Sequence, residues 1–226
     1  MEDANSDPVP ARRRECLQRL LRLACTPAGE KALGRLNRLA ENAAGPALCA
    51  RDDGPADAAW LELLSICRDA GTAQDGNGHV AFPDEAARRW CNGTWFEEYV
   101  RMTLFHLRGA QRINDFASPV SVRREGVLNE LDALFTVRNR LFTIECKTSA
   151  MSGGNIAHLD RVASTLYKMD SLHDRLGGIF ARALLCSVRP LAAKDIERAR
   201  TMGVRVLCGK DLLSLEEKLV TWSNEA

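Results

Sequence analysis

No run of apolar residues in this 226-residue chain approaches the roughly 20 needed to cross a bilayer. The opening stretch, MEDANSDPVPARRREC, passes from acidic to basic without an apolar segment, so no secretory leader is expected. An excess of one charge is also missing. The 31 Lys and Arg against 30 Asp and Glu leave a net charge of +1, which excludes a histone-like polycation but not local basic clusters. Such clusters stand at Arg12 to Arg14, Arg88–Arg89, Arg123–Arg124 and Arg138/Arg140. None of the eight cysteines forms a C-x-x-C pair, and the four histidines form no ligand pattern with them. Reduced thiols in a cytoplasmic protein are therefore expected, without structural zinc. Aromatic residues are scarce, and Trp60, Trp90, Trp95 and Trp222 each sit in an apolar helical pattern. They are expected in the core rather than stacked on bases.

What is present is the composition of a water-soluble globular chain, 46% hydrophobic and 27% charged. Its length suits one large domain or a medium one with an attachment. The first fifty residues carry apolar residues at helical spacing, including Leu17, Leu20, Leu21, Leu33 and Leu36. Asp57 can cap a helix beginning AAWLELL. TAQDGNGHVAFPD then reads as a short hairpin, so the segment is winged-helix-like. From Asn92 the character changes. An amphipathic helix (NGTWFEEYVRMTLFHLRG) precedes strand patterns at SPVSVRR, GVLNELDALFTV and LFTIECKT. A long helix over about 155–175, a strand ARALLCSV, a helix, a strand VRVLCG and a last helix over 210–222 follow. Strands alternating with helices give an α/β fold class.

One stretch breaks the apolar pattern. In NELDALFTVRNRLFTIECKT, Leu131, Ala133, Phe135 and Val137 share one side of a strand, with Glu130 and Asp132 on the other. In the next strand Phe142, Ile144 and Cys146 share a side, and Glu145 and Lys147 lie opposite. A four-residue loop (137–140) sets Asp132 across from Glu145 and Glu130 across from Lys147. A two-residue loop at Asn139–Arg140 sets Asp132 across from Lys147. Either register gathers the charges, whereas a three-residue loop drives Asp132 into the apolar face. Two carboxylates beside a lysine suit a hard cation such as Mg2+ or Mn2+. Such an ion activates water and stabilises charge on a phosphodiester. The lysine can position the water or neutralise phosphate. Arg123, Arg124, Arg138 and Arg140 flank this site in sequence and are expected to hold substrate phosphates.

LDALF…LFTIECKT resembles the PD-(D/E)XK nuclease superfamily, in which an Asp on one strand precedes Glu-x-Lys on the next. The resemblance implies a restriction-endonuclease-like core, a mixed central sheet flanked by helices. It assigns catalysis to Asp132, Glu145 and Lys147. A further glutamate from the preceding helix is Glu97 or Glu98. Glu97 lies at the edge of the stripe formed by Phe96, Val100, Leu104 and Leu107, and Glu98 points nearly away from it, so Glu97 is the candidate. Glu130 is a further possibility. The metal set is then Asp132, Glu145 and Glu97. NGTWFEEYV, NELDALF, LFTIECKT, RLGG and RARTMGVRV are similar to the nuclease domain of CRISPR-associated ancillary nucleases activated by cyclic oligoadenylate. That likeness implies a homodimer cleaving DNA, and RNA as a further expectation, in anti-phage defence. The expected organisation is a helical segment (1–50), a winged-helix-like linker (51–90) and the nuclease domain (91–226). The residues before the nuclease read as helices, without the alternating strands or Gly-rich phosphate loop of a nucleotide sensor. A cyclic oligonucleotide activator is therefore not expected to carry over. His158 and His173 fall on or near the long helix after these strands, and His158 could approach the substrate. Two other readings remain open: a nucleic-acid-binding regulator with an inert nuclease fold, and a dimerisation module whose charges form an ion-pair network.

Overall fold

The computed structural model describes residues 9–43, 48–124, 127–151, 156–176 and 180–225. The side chains of Arg124, Val127 and residues 156–160 and 173–175 also lie outside the described set. Two compact units are present, Val9–Tyr99 and one holding Val100–Ala226.

In the first unit, helices α1 (Ala11–Ala24), α2 (Pro27–Asn42) and α3 (Ala58–Asp69) accompany a small antiparallel sheet. Its strands are β1 (Cys49–Arg51), β2 (Gln74–Gly76) and β3 (His79–Ala81), in the order β1-β3-β2. Local chemistry sets the helix starts. Thr26 accepts from the Gly29 amide, with Pro27 opening the first turn of α2, and Asp57 accepts from the Trp60 amide. The hairpin turns at Asn77 (φ 52°) and Gly78 (φ 71°), the left-handed pair that a two-residue loop demands. Leu17, Leu20, Leu21, Leu33, Leu36 and Leu63 fill the core. The expected helix and hairpin are thus present, with β1 drawn from a polar stretch that the sequence marks only as a break. Helix α4 (Glu85–Arg89) and a π-helical turn (Trp90–Thr94) lead into α5 (Trp95–Gly109), within which the two units divide.

The second unit is built on a mixed sheet that has five strands among the described residues, in the order β10-β9-β8-β7-β4. Strands β7 (Ala133–Val137) and β8 (Arg140–Lys147) form an antiparallel hairpin, and β4 (Asp115–Ala117) pairs with β7. Strands β9 (Ala181–Ser187) and β10 (Val204–Cys208) run parallel to β8. Their crossovers are helices α6 (Ile156–Leu176) and α7 (Ala193–Thr201), as parallel pairing requires. Each face of β8 is covered. On one, Val162, Leu166 and Met169 of α6 pack with Ala183, Leu185, Ala199 and Val204. On the other, Phe135 stacks on Phe142 with ring centroids 4.7 Å apart. Trp222 of α8 (Leu215–Glu225) meets both rings edge-on, at 6.2 and 4.9 Å. All four tryptophans are buried, and no disulfide links the described cysteines.

Three expectations are corrected. GVLNELDALFTV is not one strand: β6 (Val127–Leu131) pairs with β5 (Val120–Arg124) in a separate two-stranded ribbon. The chain bends at Asp132 before β7 joins the main sheet. The last helical segment opens as a 3-10 turn, Gly209–Ser214. The β7–β8 turn is Arg138–Asn139, both left-handed (φ 48° and 65°), with Val137 paired to Arg140 and Ala133 to Ile144. This is the register of the longer loop, closed by one further rung.

Replacing Trp222 by Ala removes the edge contacts to both phenylalanines and opens a large cavity. A loss of about 3–5 kcal/mol is expected, measured by urea unfolding; a loss below about 1 kcal/mol would contradict this packing.

Candidate active site

Strand β8 lies between β7 and β9, with packed residues on both faces, so Phe142 to Cys146 are withdrawn from water on both sides. Phe142 and Ile144 fill one face. Glu145 and Lys147 share the other, since residues two apart project together, and that is the face carrying α6. Glu145 is only 5% exposed. An isolated carboxylate there would cost several kcal/mol, an order-of-magnitude figure. Two ammonium groups offset that cost. Lys147 Nζ donates to Glu145 Oε1 at 2.6 Å, and Lys168 Nζ stands 3.7 Å from Glu145 Oε2.

Asp132 arrives by a different route. It occupies the bend between β6 and β7, where the register of the hairpin sets it beside Glu145. Its Oδ2 accepts from the backbone N–H of Cys146 at 2.6 Å, and its own carbonyl accepts from Ser118 Oγ at 2.7 Å. Burial pushes the Asp132 carboxyl up to about 6, reinforced by the Glu145 charge and opposed by the Cys146 N–H, Lys147 and Lys168. Burial also works against the Lys147 ammonium, but the Glu145 and Asp132 charges outweigh it and raise its pKa above the ordinary value.

Asp132, Glu145 and Lys147 are therefore brought together. Lys168 was not among the expected site residues. Its only sequence signal is its place beside Met169, at the edge of the α6 stripe of Val162, Leu166 and Met169. Glu130 does not face Lys147, because β6 leaves the main sheet. Its side chain is exposed, and its carbonyl accepts from Lys168 Nζ at 3.1 Å. In the first unit, Glu98 is buried although it lies off that apolar stripe. It is 8% exposed, accepts from Trp90 Nε1 at 2.7 Å and pairs with Arg13 at 3.4 Å. The π-helical turn carrying Trp90 folds over it. Glu97, in the same first helical turn, is half-buried.

The arginines divide. Arg123 is exposed on β5, in the ribbon whose Val120–Leu131 rung adjoins Asp132. Arg124 lies on the same strand, with its side chain outside the described set. Arg138 and Arg140 are at the β7–β8 turn, the opposite end of β8 from Glu145. At about 3.4 Å per residue, Arg140 is roughly 17 Å from Glu145 along the strand. Closeness in sequence across a hairpin turn does not bring these two to the site. A cavity of about 310 Å³ opens beside that turn, lined in part by Arg112 and Arg138, and not at the carboxylates. The side chains of His158 and His173, both on α6, lie outside the described set.

Among the described residues no group of three or more His, Cys, Asp or Glu side chains is arranged to hold a metal ion. Among the described residues of the second unit, the acidic side chains brought together here are those of Asp132 and Glu145. That number fits Mg2+, which commonly takes one or two carboxylates and completes its shell with water and substrate phosphate.

A family model described as "Card1-like, endonuclease domain" matches residues 84–226. Among solved structures, protein VC1899 from Vibrio cholerae is 34% identical with a TM-score of 0.80, the match covering 96% of this chain and 57% of that one. Can2 from Sulfobacillus thermosulfidooxidans, in complex with cyclic tetra-adenylate, is 26% identical with a TM-score of 0.75, covering 96% and 58%. The chain thus spans less than two thirds of the length of either relative. No curated protein matches it by sequence. No described helix is long and apolar enough to cross a membrane.

The raised Asp132 pKa makes a signed prediction for the metal-free protein. A carboxyl that binds its proton more tightly folded than unfolded favours the folded state below the unfolded pKa, near 4. That contribution is lost as pH rises through about 6. At pH 8 in EDTA, Asp132→Asn should therefore raise the melting temperature by a few degrees, for about 1–3 kcal/mol. The difference should vanish near pH 4. A variant less stable than wild type at pH 8 would contradict the electrostatics described.

Proposed function

Because the chain belongs to the Card1-like endonuclease family, we propose that it is a metal-dependent endonuclease that hydrolyses phosphodiester bonds in DNA, with RNA as a second substrate. The observation that carries this reading is the placement of Asp132, Glu145 and Lys147. Two carboxylates withdrawn from water meet a lysine held 2.6 Å from one of them, on the face of a sheet whose core secures both strands.

Asp132 and Glu145 would hold Mg2+ or Mn2+. Bound there, the cation would supply acidification of water and electrostatic stabilisation of the charge that develops on the phosphate. The chain's own groups do the rest. The Cys146 amide fixes the Asp132 carboxylate in one orientation, so little reorganisation is needed when substrate arrives. Lys147, kept ammonium by Glu145, orients the attacking water or neutralises a phosphate oxygen. Arg123, exposed on the ribbon beside Asp132, supplies a backbone phosphate contact.

A role in CRISPR-associated defence against phage is part of the proposal. It is supported by likeness to Can2, whose solved structure contains cyclic tetra-adenylate. A homodimer, offering one site to each strand of a duplex, belongs to the same reading.

The test is cleavage of single- and double-stranded DNA and RNA in EDTA, Mg2+ or Mn2+, with and without cyclic tetra-adenylate. Glu145→Ala and Lys147→Ala should each lower metal-dependent cleavage by about 10²–10⁴-fold, with unchanged circular dichroism. Undiminished cleavage by both variants would rule the reading out.

A further inference from the structure

We propose that Lys168 is an exchangeable counter-ion: it neutralises Glu145 until a divalent cation binds, then contacts a phosphate of the nucleic acid. The inference rests on the nuclease reading above.

The two lysines at Glu145 are not equivalent. Lys147 donates at 2.6 Å and its side chain is 29% exposed. Lys168 stands at 3.7 Å, beyond hydrogen-bond range, and its side chain is 40% exposed. The first is a hydrogen-bonded member of the site; the second is held to Glu145 by charge alone. Its ammonium is also anchored elsewhere, donating to the Glu130 carbonyl at 3.1 Å.

Charge balance gives the difference a consequence. Asp132 and Glu145 carry two negative charges, Lys147 and Lys168 two positive ones. A divalent cation added to that neutral cluster meets repulsion from both ammonium groups. One of them must withdraw from Glu145, and the longer, more exposed contact yields first. Lys168 then keeps its bond to Glu130 at the base of the ribbon. Its flexible four-carbon stem leaves the ammonium a short swing from the carboxylates. A phosphate bound beside Asp132 and Glu145 lies within that reach. Lys168 is thus a substrate-contacting residue supplied by α6, separate from the Glu-x-Lys strand.

The test uses the full chain with Lys168→Ala and Lys168→Gln. Mn2+ binding is measured by calorimetry. Binding of a non-cleavable phosphorothioate oligonucleotide is measured in Mn2+ across a salt series. Removing the competing ammonium should tighten Mn2+ binding about three- to tenfold. Oligonucleotide binding should weaken, and the slope of log K against log salt should fall by roughly 0.7–0.9, the value of one phosphate contact. Lys168→Arg should restore the slope. A merely structural lysine would not move the two affinities in opposite directions. Equal Mn2+ uptake by wild type and Lys168→Ala, or an unchanged salt slope, would overturn this inference alone. A wild-type chain that takes up no Mn2+ would overturn the nuclease reading and this inference together.

Discussion

The site depends on one hydrogen bond, from the Cys146 amide to the Asp132 carboxylate at 2.6 Å. It is made where the strand breaks, so it joins a side chain from the bend to the backbone of the central strand. Charge-assisted bonds of this kind are short and directional. Asp132 gains an orientation from it, and the Cys146 N–H gains an acceptor at the place where β7 has stopped supplying carbonyls. Without the break, Asp132 would be one more residue on a regular ladder.

The two cores supply the rest. The stacked Phe135 and Phe142 under Trp222 hold β7 and β8 from one side, and the apolar stripe of α6 holds the other. Glu145 is buried as a consequence of that double cover, and its burial is costly. Replacing buried ion pairs by apolar residues of like shape is often neutral or stabilising. Glu145 with Lys147 and Lys168 is therefore weak evidence of a device for stability. On the proposed function, the arrangement keeps two carboxylates oriented for a cation and a phosphate.

Much of this was legible in the chain. Glu145 and Lys147 announce themselves as charges of matched parity in an otherwise apolar strand, and keeping Asp132 out of the core leaves two hairpin registers, of which the structure takes the one pairing Ala133 with Ile144. The break at Asp132 was not legible, because Leu131, Ala133, Phe135 and Val137 keep their alternation across it; parity cannot say which sheet a strand joins. Lys168 was hidden by distance along the chain. The burial of Glu98 was not legible because a helical projection does not include the turn that precedes the helix, and there Trp90 donates to it. Arg138 and Arg140 were drawn toward the site by sequence proximity, yet a hairpin turn is the point of the hairpin farthest from the open ends of its strands.

The most direct measurement is anomalous diffraction from crystals of the protein soaked in Mn2+. The account predicts a peak within coordination distance, about 2.0–2.3 Å, of carboxylate oxygens from both Asp132 and Glu145, with Lys147 still at Glu145. Manganese bound elsewhere in a chain that cleaves nucleic acid, with these carboxylates free of it, would contradict the account.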